Sequence, residues 1–273
     1  MTATTMRAPA MAGSVITDSA TMIRRSLRRM RRYPSLTFFI ALLPVVFLLL
    51  FVYVFGATLG AGIGGAGGAA GRARYIAYVV PGILLLTVAG GAQGTAISVA
   101  MDMTEGIIAR FRTMAIARAS VLTGHVLGSV LQAMIATALV VVVAVAIGFR
   151  PTTGPLEWLA ALGLLVLTSF AVTWVSVALG LVANSVETAS NTPMFLTLLP
   201  FIGSGFVPTQ SMPDLLRIVA ENQPFTPIME TLRGLLLGTP IGTSGPIAIA
   251  WCVGISVVGY LWAIRLYNRV PGR

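Results

Sequence analysis

The side chains that could act chemically are few, and each stands alone. His125 is the only histidine and Cys252 the only cysteine. No multi-histidine metal site, disulfide framework or cysteine metal cluster can therefore be built within one chain. His125 has the chemistry of a proton relay, but no acidic residue falls within any long apolar run. That favours an interfacial or hydrogen-bonded histidine. Intramembrane proteolysis needs a catalytic set, and the sequence has no H-E-x-x-H and no aspartate pair in its apolar runs. The tract GIGGAG at 62–67 has the dinucleotide-fingerprint spacing through Gly62, Gly64 and Gly67. That motif works after a strand, at the start of a helix, with an acidic residue about 20 positions later. Here it follows an apolar run, and no acidic residue lies between Asp18 and Asp102. All eighteen basic residues are arginine, so there is no Walker lysine and no P-loop. The chain is expected to be no enzyme, with no catalytic residue, metal or cofactor of its own.

The elements that must position these residues are membrane helices. The chain of 273 residues is 56% hydrophobic and only 10% charged, with a mean hydropathy of +0.91; a soluble domain carries about 25% charged residues. A polytopic all-α membrane protein follows. Six segments reach the ~20 apolar residues a span needs, at about 36–58, 75–100, 121–148, 158–183, 190–209 and 245–266. Apart from Arg265 at an edge, none contains a charge, as expected when a charge at a helix centre costs about 2.5–3.5 kcal/mol on insertion scales. The uncharged run from Tyr33 to Gly71 is far longer than the ~7–15 residues of a signal-peptide core and reads as a retained first span. The net charge of +10 sits in tails and loops, where it sets topology; nucleic acid is not an expected partner.

Six spans put both termini on one side. Seven arginines in the N-terminal tail, three in the 101–120 loop and three at the C-terminal end make thirteen on that side. Arg72, Arg74, Arg150, Arg217 and Arg233 make five on the other. The bias places both termini in the cytoplasm. Residues 1–20 read as a disordered tail and 21–273 as a single membrane domain without internal repeats. Within 21–33, Ile23, Leu27 and Met30 recur at helical spacing among arginines, an amphipathic helix on the inner membrane face that Pro34 ends. The Gly/Ala-rich tract 60–71 is expected to be a flexible outer loop.

The neutral polar residues of the spans are Gln93, Gln132, Thr173 and Ser176. They either line a substrate path or bond to neighbouring helices. Gly90 with Gly94 and Gly124 with Gly128 are pairs that let helices approach closely, with packing inside one subunit favoured. The outer loop 210–244 holds two short apolar-periodic pieces, about 213–221 and 226–238, separated by Gln223-Pro224. Ser211 with Asp214 resembles a capping box, and Thr226-Pro227 a cap with a first-turn proline. Each piece is too short to cross a bilayer, and Glu230 and Arg233 interrupt the second. Half-helices dipping into the outer leaflet, or lying on it, are expected.

Charge-free spans disfavour an ion-coupled carrier, which needs ionisable groups at depth, and point to energy supplied by another subunit. A rigid cytoplasmic element is then required. The stretch MDMTEGIIARFRTMAIAR at 101–118 has the makings of one. Thr104 suits a helix N-cap, Glu105 its positive end, and Ile107, Ile108 and Phe111 an apolar side. The plainer reading is an amphipathic loop anchored at the interface.

This stretch resembles the first cytoplasmic loop of type 2 ATP-binding-cassette export permeases of the daunorubicin-resistance branch. Members carry E-G-x-x-x-R-F-R and then A-R-x-x-V-L-x-G. Here those positions are Glu105, Gly106, Arg110, Phe111 and Arg112, then Ala117, Arg118, Val121, Leu122 and Gly124. Ala115 stands where relatives often have proline. The outer loop is similar to the branch's Q-P-x-T-P-x-x-x-x-x-R-x-L-x-x-G through Gln223, Pro224, Thr226, Pro227, Arg233, Leu235 and Gly238, and FVPTQSMP before it also matches. The resemblance implies a permease in a bacterial plasma membrane, paired with a second copy or a paralogous permease. It also implies two cytoplasmic ATPase subunits, which would hold the ATP and magnesium. The 105–118 segment, with Arg118 at its end, would be the coupling helix. Hydrophobic or amphipathic drugs or lipids would be the cargo, leaving through or beside the outer half-helices. A non-transporting membrane scaffold using the same loop for docking is the alternative.

Overall fold

The computed structural model describes residues 34–63, 68–105, 118–183 and 185–269. The expected tail and amphipathic helix, and Gly106, Arg110, Phe111 and Arg112 of the expected coupling helix, lie outside the described residues. The described residues form ten α-helices in order: α1 (Pro34–Leu50), α2 (Gly56–Gly62), α3 (Ala69–Thr104), α4 (Arg118–Ala146), α5 (Pro155–Val182), α6 (Val186–Asn191), α7 (Met194–Ile202), α8 (Asp214–Asn222), α9 (Phe225–Leu237) and α10 (Ser244–Arg269). Among the described residues there is no strand, in line with the all-α expectation.

Among the described residues, five continuous helices are long and apolar enough to cross a membrane: Ile40–Gly62, Ala69–Thr104, Leu122–Ala146, Pro155–Val182 and Ser244–Asn268. The first joins α1 to α2 through a π-helical turn, Phe51–Phe55, with Pro44 about two turns earlier. Proline removes a ladder donor and a π turn widens it, so a single span is built from bent pieces. The expected fifth span, 190–209, is not one helix. It is broken into α6 and α7 at Thr192-Pro193, has Pro200 inside α7, and stops at Gly203. Its mean hydropathy suggested a span, but two prolines and two nearby glycines divide its hydrogen-bond ladder.

The longest helix, α3, forms the centre. Its 36 residues extend about 54 Å at ~1.5 Å per residue, well beyond the ~30 Å of hydrocarbon. Buried residues make up 83% of its most apolar stretch, against 67% in α5 and 22–28% in the other three spans. A helix that is apolar all round belongs in such a core, and its neighbours turn their other faces outward. Val142, Leu159, Val253 and Val258 are among the exposed apolar side chains on α4, α5 and α10, a surface that suits lipid.

Small residues bring the helices together. A Cβ on Gly180 of α5 would lie 2.6 Å from the Ala96 carbonyl oxygen of α3, and one on Gly259 of α10 would lie 3.0 Å from the Trp174 Cβ. On Gly60 it would lie 2.1 Å from the Gly71 carbonyl oxygen, so α2 and α3 touch backbone to backbone where an open flexible loop was expected. Of that tract, the described residues 60–63 and 68–71 belong to two helix ends in close contact, and 64–67 lie outside the described residues. Of the expected glycine pairs, Gly124 and Gly128 are buried within the subunit. A Cβ at Gly90 or Gly94 would meet nothing within 4 Å; Gly91, between them, is the one that faces Ala133 of α4.

The half-helices are present as α8 and α9, but their expected caps are not. Pro213 is the N-cap of α8, with no side-chain cap bond, and the Ser211 hydroxyl donates to the Pro208 carbonyl at 2.7 Å. Pro224 precedes α9, and the Thr226 hydroxyl donates back to the Ala220 carbonyl, tying the two half-helices together. Proline's preset φ supplies both starts without a side-chain acceptor. The left-handed Gly238 (φ 71°) ends α9.

Glycine substitutions at α3 should separate contact from propensity. Gly180→Ala gains helix propensity of up to about 1 kcal/mol but presses a methyl on the Ala96 carbonyl, at a cost of about 1–3 kcal/mol. It should lower the melting temperature in detergent, whereas Gly94→Ala should leave it unchanged or raise it. A Gly180→Ala protein as stable as the wild type would contradict this packing.

Candidate functional site

The described residues bearing on function lie at the two ends of α3. At one end α3 leads into the 105–118 stretch and α4 leads out of it. Thr104 is the last residue of α3 rather than the cap of a new helix, and its hydroxyl donates to the Met101 carbonyl at 2.9 Å. Glu105 is the C-cap, with its N–H on the same carbonyl at 2.9 Å. Arg118 is the first residue of α4.

Because α3 continues past residue 100, it carries Asp102, and Asp102 Oδ2 stands 2.9 Å from His125 Nε2 of α4. The expected hydrogen-bonded histidine is therefore found, with a partner just past the expected 75–100 span. Both side chains are about one-fifth exposed, 18% and 21%. Deeper between the same helices, the hydroxyls of Thr95 and Ser129 bond at 2.6 Å. These two contacts hold the helices flanking the 105–118 stretch at a set distance from each other.

At the other end, the segment 203–207 lies between α3 and α9. A Cβ on Gly205 would lie 2.7 Å from Met229 Sδ and 3.1 Å from Gly82 Cα, and one on Gly203 would lie 2.7 Å from Gln223 Nε2. Only glycine permits this approach. The carbonyls exposed by the broken span are met by side chains. Gln93 donates to Ser190 at 2.8 Å and Gln223 to Leu199 at 3.2 Å. Tyr78 and Arg233 both donate to Ser204, each at 2.8 Å, and Tyr75 donates to Phe206 at 3.2 Å.

Arg233 also lies 4.0 Å from the centroid of the Tyr78 ring and donates to the Tyr78 carbonyl at 3.4 Å. Burial pulls the pKa of its guanidinium below the ordinary arginine value, with Tyr78 and Glu230 acting in the opposite sense. Arg233 and Glu230 line a pocket of about 460 Å³ together with Arg74, Tyr78 and Ser204. Pro227 and Thr226 are buried in the body of α9, while Pro224 is half-buried at its start.

The structure thus gathers Gln223, Thr226 and Arg233 around one loop. It assigns Gln93 to bonding a neighbouring element, one of the two roles open to it. Gln132 is half-buried on α4. Thr173 and Ser176 are buried on α5, and Ser176 Oγ has no hydrogen-bond partner among the described residues. None of these four lines the pocket. Tyr75, Tyr78, Gly82 and Ser204 were missed because neutral residues in an apolar run carry no charge signal. The only hint was G-S-G beside two prolines, marking a helix that cannot continue.

The family model for ABC-2 type transporters matches residues 18–237. The chain belongs to the ABC-2 type transporter family. This permease is 28% identical over 257 residues to the daunorubicin resistance ABC transporter permease protein DrrB1 of Streptomyces coeruleorubidus, covering 94% of this chain and 88% of that one. It is 23% identical over 180 residues to the probable doxorubicin resistance ABC transporter permease protein DrrC of Mycobacterium tuberculosis, strain H37Rv, covering 66% and 65% of the two chains. The permease is a multi-pass membrane protein and the non-enzymatic, membrane-spanning subunit of an ABC transporter, whose other subunit is an ATPase.

The Asp102–His125 contact should be worth about 0.5–1.5 kcal/mol, the net value of a partly buried hydrogen bond. Asp102→Ala and His125→Ala should each destabilise the permease by about that much, and the double variant by little more than the larger single loss. Fully additive losses in a double-mutant cycle would show that the two residues do not interact.

Proposed function

We propose that this permease exports hydrophobic or amphipathic drugs or lipids across a bacterial plasma membrane, driven by two copies of a cytoplasmic ATPase acting on the 105–118 segment. Its two termini face the cytoplasm, and it pairs with a second copy or a paralogous permease. The ATP and magnesium sit on the ATPase. The observation carrying this reading is the family match over a chain whose apolar helices bear no charge at depth and therefore offer no ion-coupled engine. The relatives' drug-resistance names support the cargo class, and the arginine bias supports the orientation.

In this reading Glu105, Gly106, Arg110, Phe111, Arg112 and Arg118 meet the ATPase. Closure of the motor displaces the segment and, with it, the ends of α3 and α4 that Asp102 and His125 hold together. Gln223, Pro224, Thr226, Pro227, Glu230 and Arg233 belong to the exit side.

The test is reconstitution with a partner ABC ATPase subunit. Reversing Glu105 or Arg112 should leave insertion and expression intact, because the segment lies outside the hydrocarbon. It should cut ATP-dependent efflux by about 5- to 150-fold, the range of ordinary coupling energies. A complex that assembles with the ATPase and hydrolyses ATP but moves no amphipathic cargo would refute export and favour a scaffold.

A further inference from the structure

The pocket between the N-terminal end of α3 and α9 holds a cation, Arg233, whose hydrogen bonds run to neutral carbonyls. Two guanidiniums, Arg74 and Arg233, face one carboxylate, Glu230, across about 460 Å³, within the ~300–1,000 Å³ usual for ligand pockets. Glu230 acts on Arg233 through space without a close ion pair, and its Oε2 accepts the Ser244 hydroxyl at 3.1 Å. Among the described residues, no carboxylate forms an ion pair with Arg233. Its bonds run to the neutral carbonyls of Ser204 and Tyr78, and its Nε is buried without a hydrogen-bond partner there. A guanidinium taken this far out of water is costly unless a negative group compensates it. Apolar side chains, Ile63 and Leu237, complete the wall. The pocket thus offers both charged and apolar lining.

We propose that this pocket binds the anionic group, a phosphate or carboxylate, of an amphipathic molecule whose apolar part lies against Ile63 and Leu237. Arg233 supplies the fixed charge, held in place by the Tyr78 ring and the Ser204 carbonyl. Arg74, at the exposed rim, supplies the second donor. Glu230 opposes the ligand and limits its affinity, as a site that must release what it holds requires. The anion could belong to a membrane phospholipid or to the cargo. Only the description of the pocket as an exit-side site rests on the proposed orientation; binding itself does not.

Binding can be read without ATP. Purified permease in neutral detergent is titrated with short-chain phosphatidylglycerol, with phosphatidylcholine and with inorganic phosphate, and occupancy is followed by native mass spectrometry. Phosphatidylglycerol should saturate one site per chain, and phosphatidylcholine should bind at least about tenfold more weakly. Arg74→Gln should weaken phosphatidylglycerol binding by about tenfold, and Glu230→Gln should tighten it. Arg233→Gln should abolish it, but that variant also frees the Ser204 carbonyl, so the rim variants keep the test valid if it misfolds. Competition by inorganic phosphate would support the site with the free anion as sufficient ligand; absence of competition would support a lipid-borne anion. Equal binding of both lipids, or phosphatidylglycerol binding unchanged in both Arg74→Gln and Glu230→Gln, would overturn the proposal. A permease that binds as expected yet exports nothing refutes the transport reading and leaves this one standing.

Discussion

Backbone carbonyls buried away from water must find donors, and this chain places four of them where no helix supplies one. Even a continuous fifth span would have left Ser204, four residues before Pro208, and Phe206, in its last turn, without an internal donor, and would have satisfied only Ser190 and Leu199. Breaking it at Pro193 and Gly203 exposes these two as well, and in an apolar interior each unsatisfied group costs several kcal/mol. Gln93, Gln223, Tyr78 with Arg233, and Tyr75 provide the donors. Much of the arrangement at this end of the molecule depends on that exchange. It sets α3, α9 and the 203–207 segment against one another, and the pocket is the space left beside them.

The same constraint explains why α3 is central. Three of the five donors, Tyr75, Tyr78 and Gln93, project from it, and Gly82 lets the broken segment lie against it. Aromatic rings close the remaining side. Phe206 stacks on Phe201 at 4.6 Å and meets Phe51 at 4.9 Å, and Phe47 packs edge-on to Phe201 at 5.5 Å. The first span thus grips the broken one through its π-helical turn. At its far end α3 carries Asp102 and the clasp to α4. One continuous helix therefore connects the polar stretch at one end to the pocket at the other. In the proposed transport reading, a push on the stretch reaches the pocket by rigid displacement of α3, without a relay of side-chain changes.

Much was legible from residue types alone. Hydropathy marked five spans to within a few residues, because continuous apolar helices are a one-dimensional property of the chain. It failed at 190–209, where the average was apolar enough but Pro193, Pro200, Gly203 and Gly205 forbade a straight helix. The caps at Ser211 and Thr226 were misread for a related reason. A serine or threonine near a helix start is a cap only if nothing else takes its hydroxyl, and here the Pro208 and Ala220 carbonyls do. His125 was correctly expected to hydrogen-bond, but its partner was hidden because α3 runs four residues past the expected C-terminal end of its span.

By itself, then, the sequence determined the medium, the number of apolar segments, the absence of an internal energy source and the motifs at 105–124 and 223–238. These follow from composition and local spacing, which do not depend on what packs where. Only the tertiary structure decided that Gln93 bonds Ser190 across 97 positions, that Tyr78 and Arg233 share one carbonyl, and that Arg74, Glu230 and Arg233 face a common space. A hydrogen bond across a bundle is set by the register of two helices. That register comes from glycine contacts such as Gly82 on Gly205 and Gly180 on Ala96, whose partners lie far away along the chain.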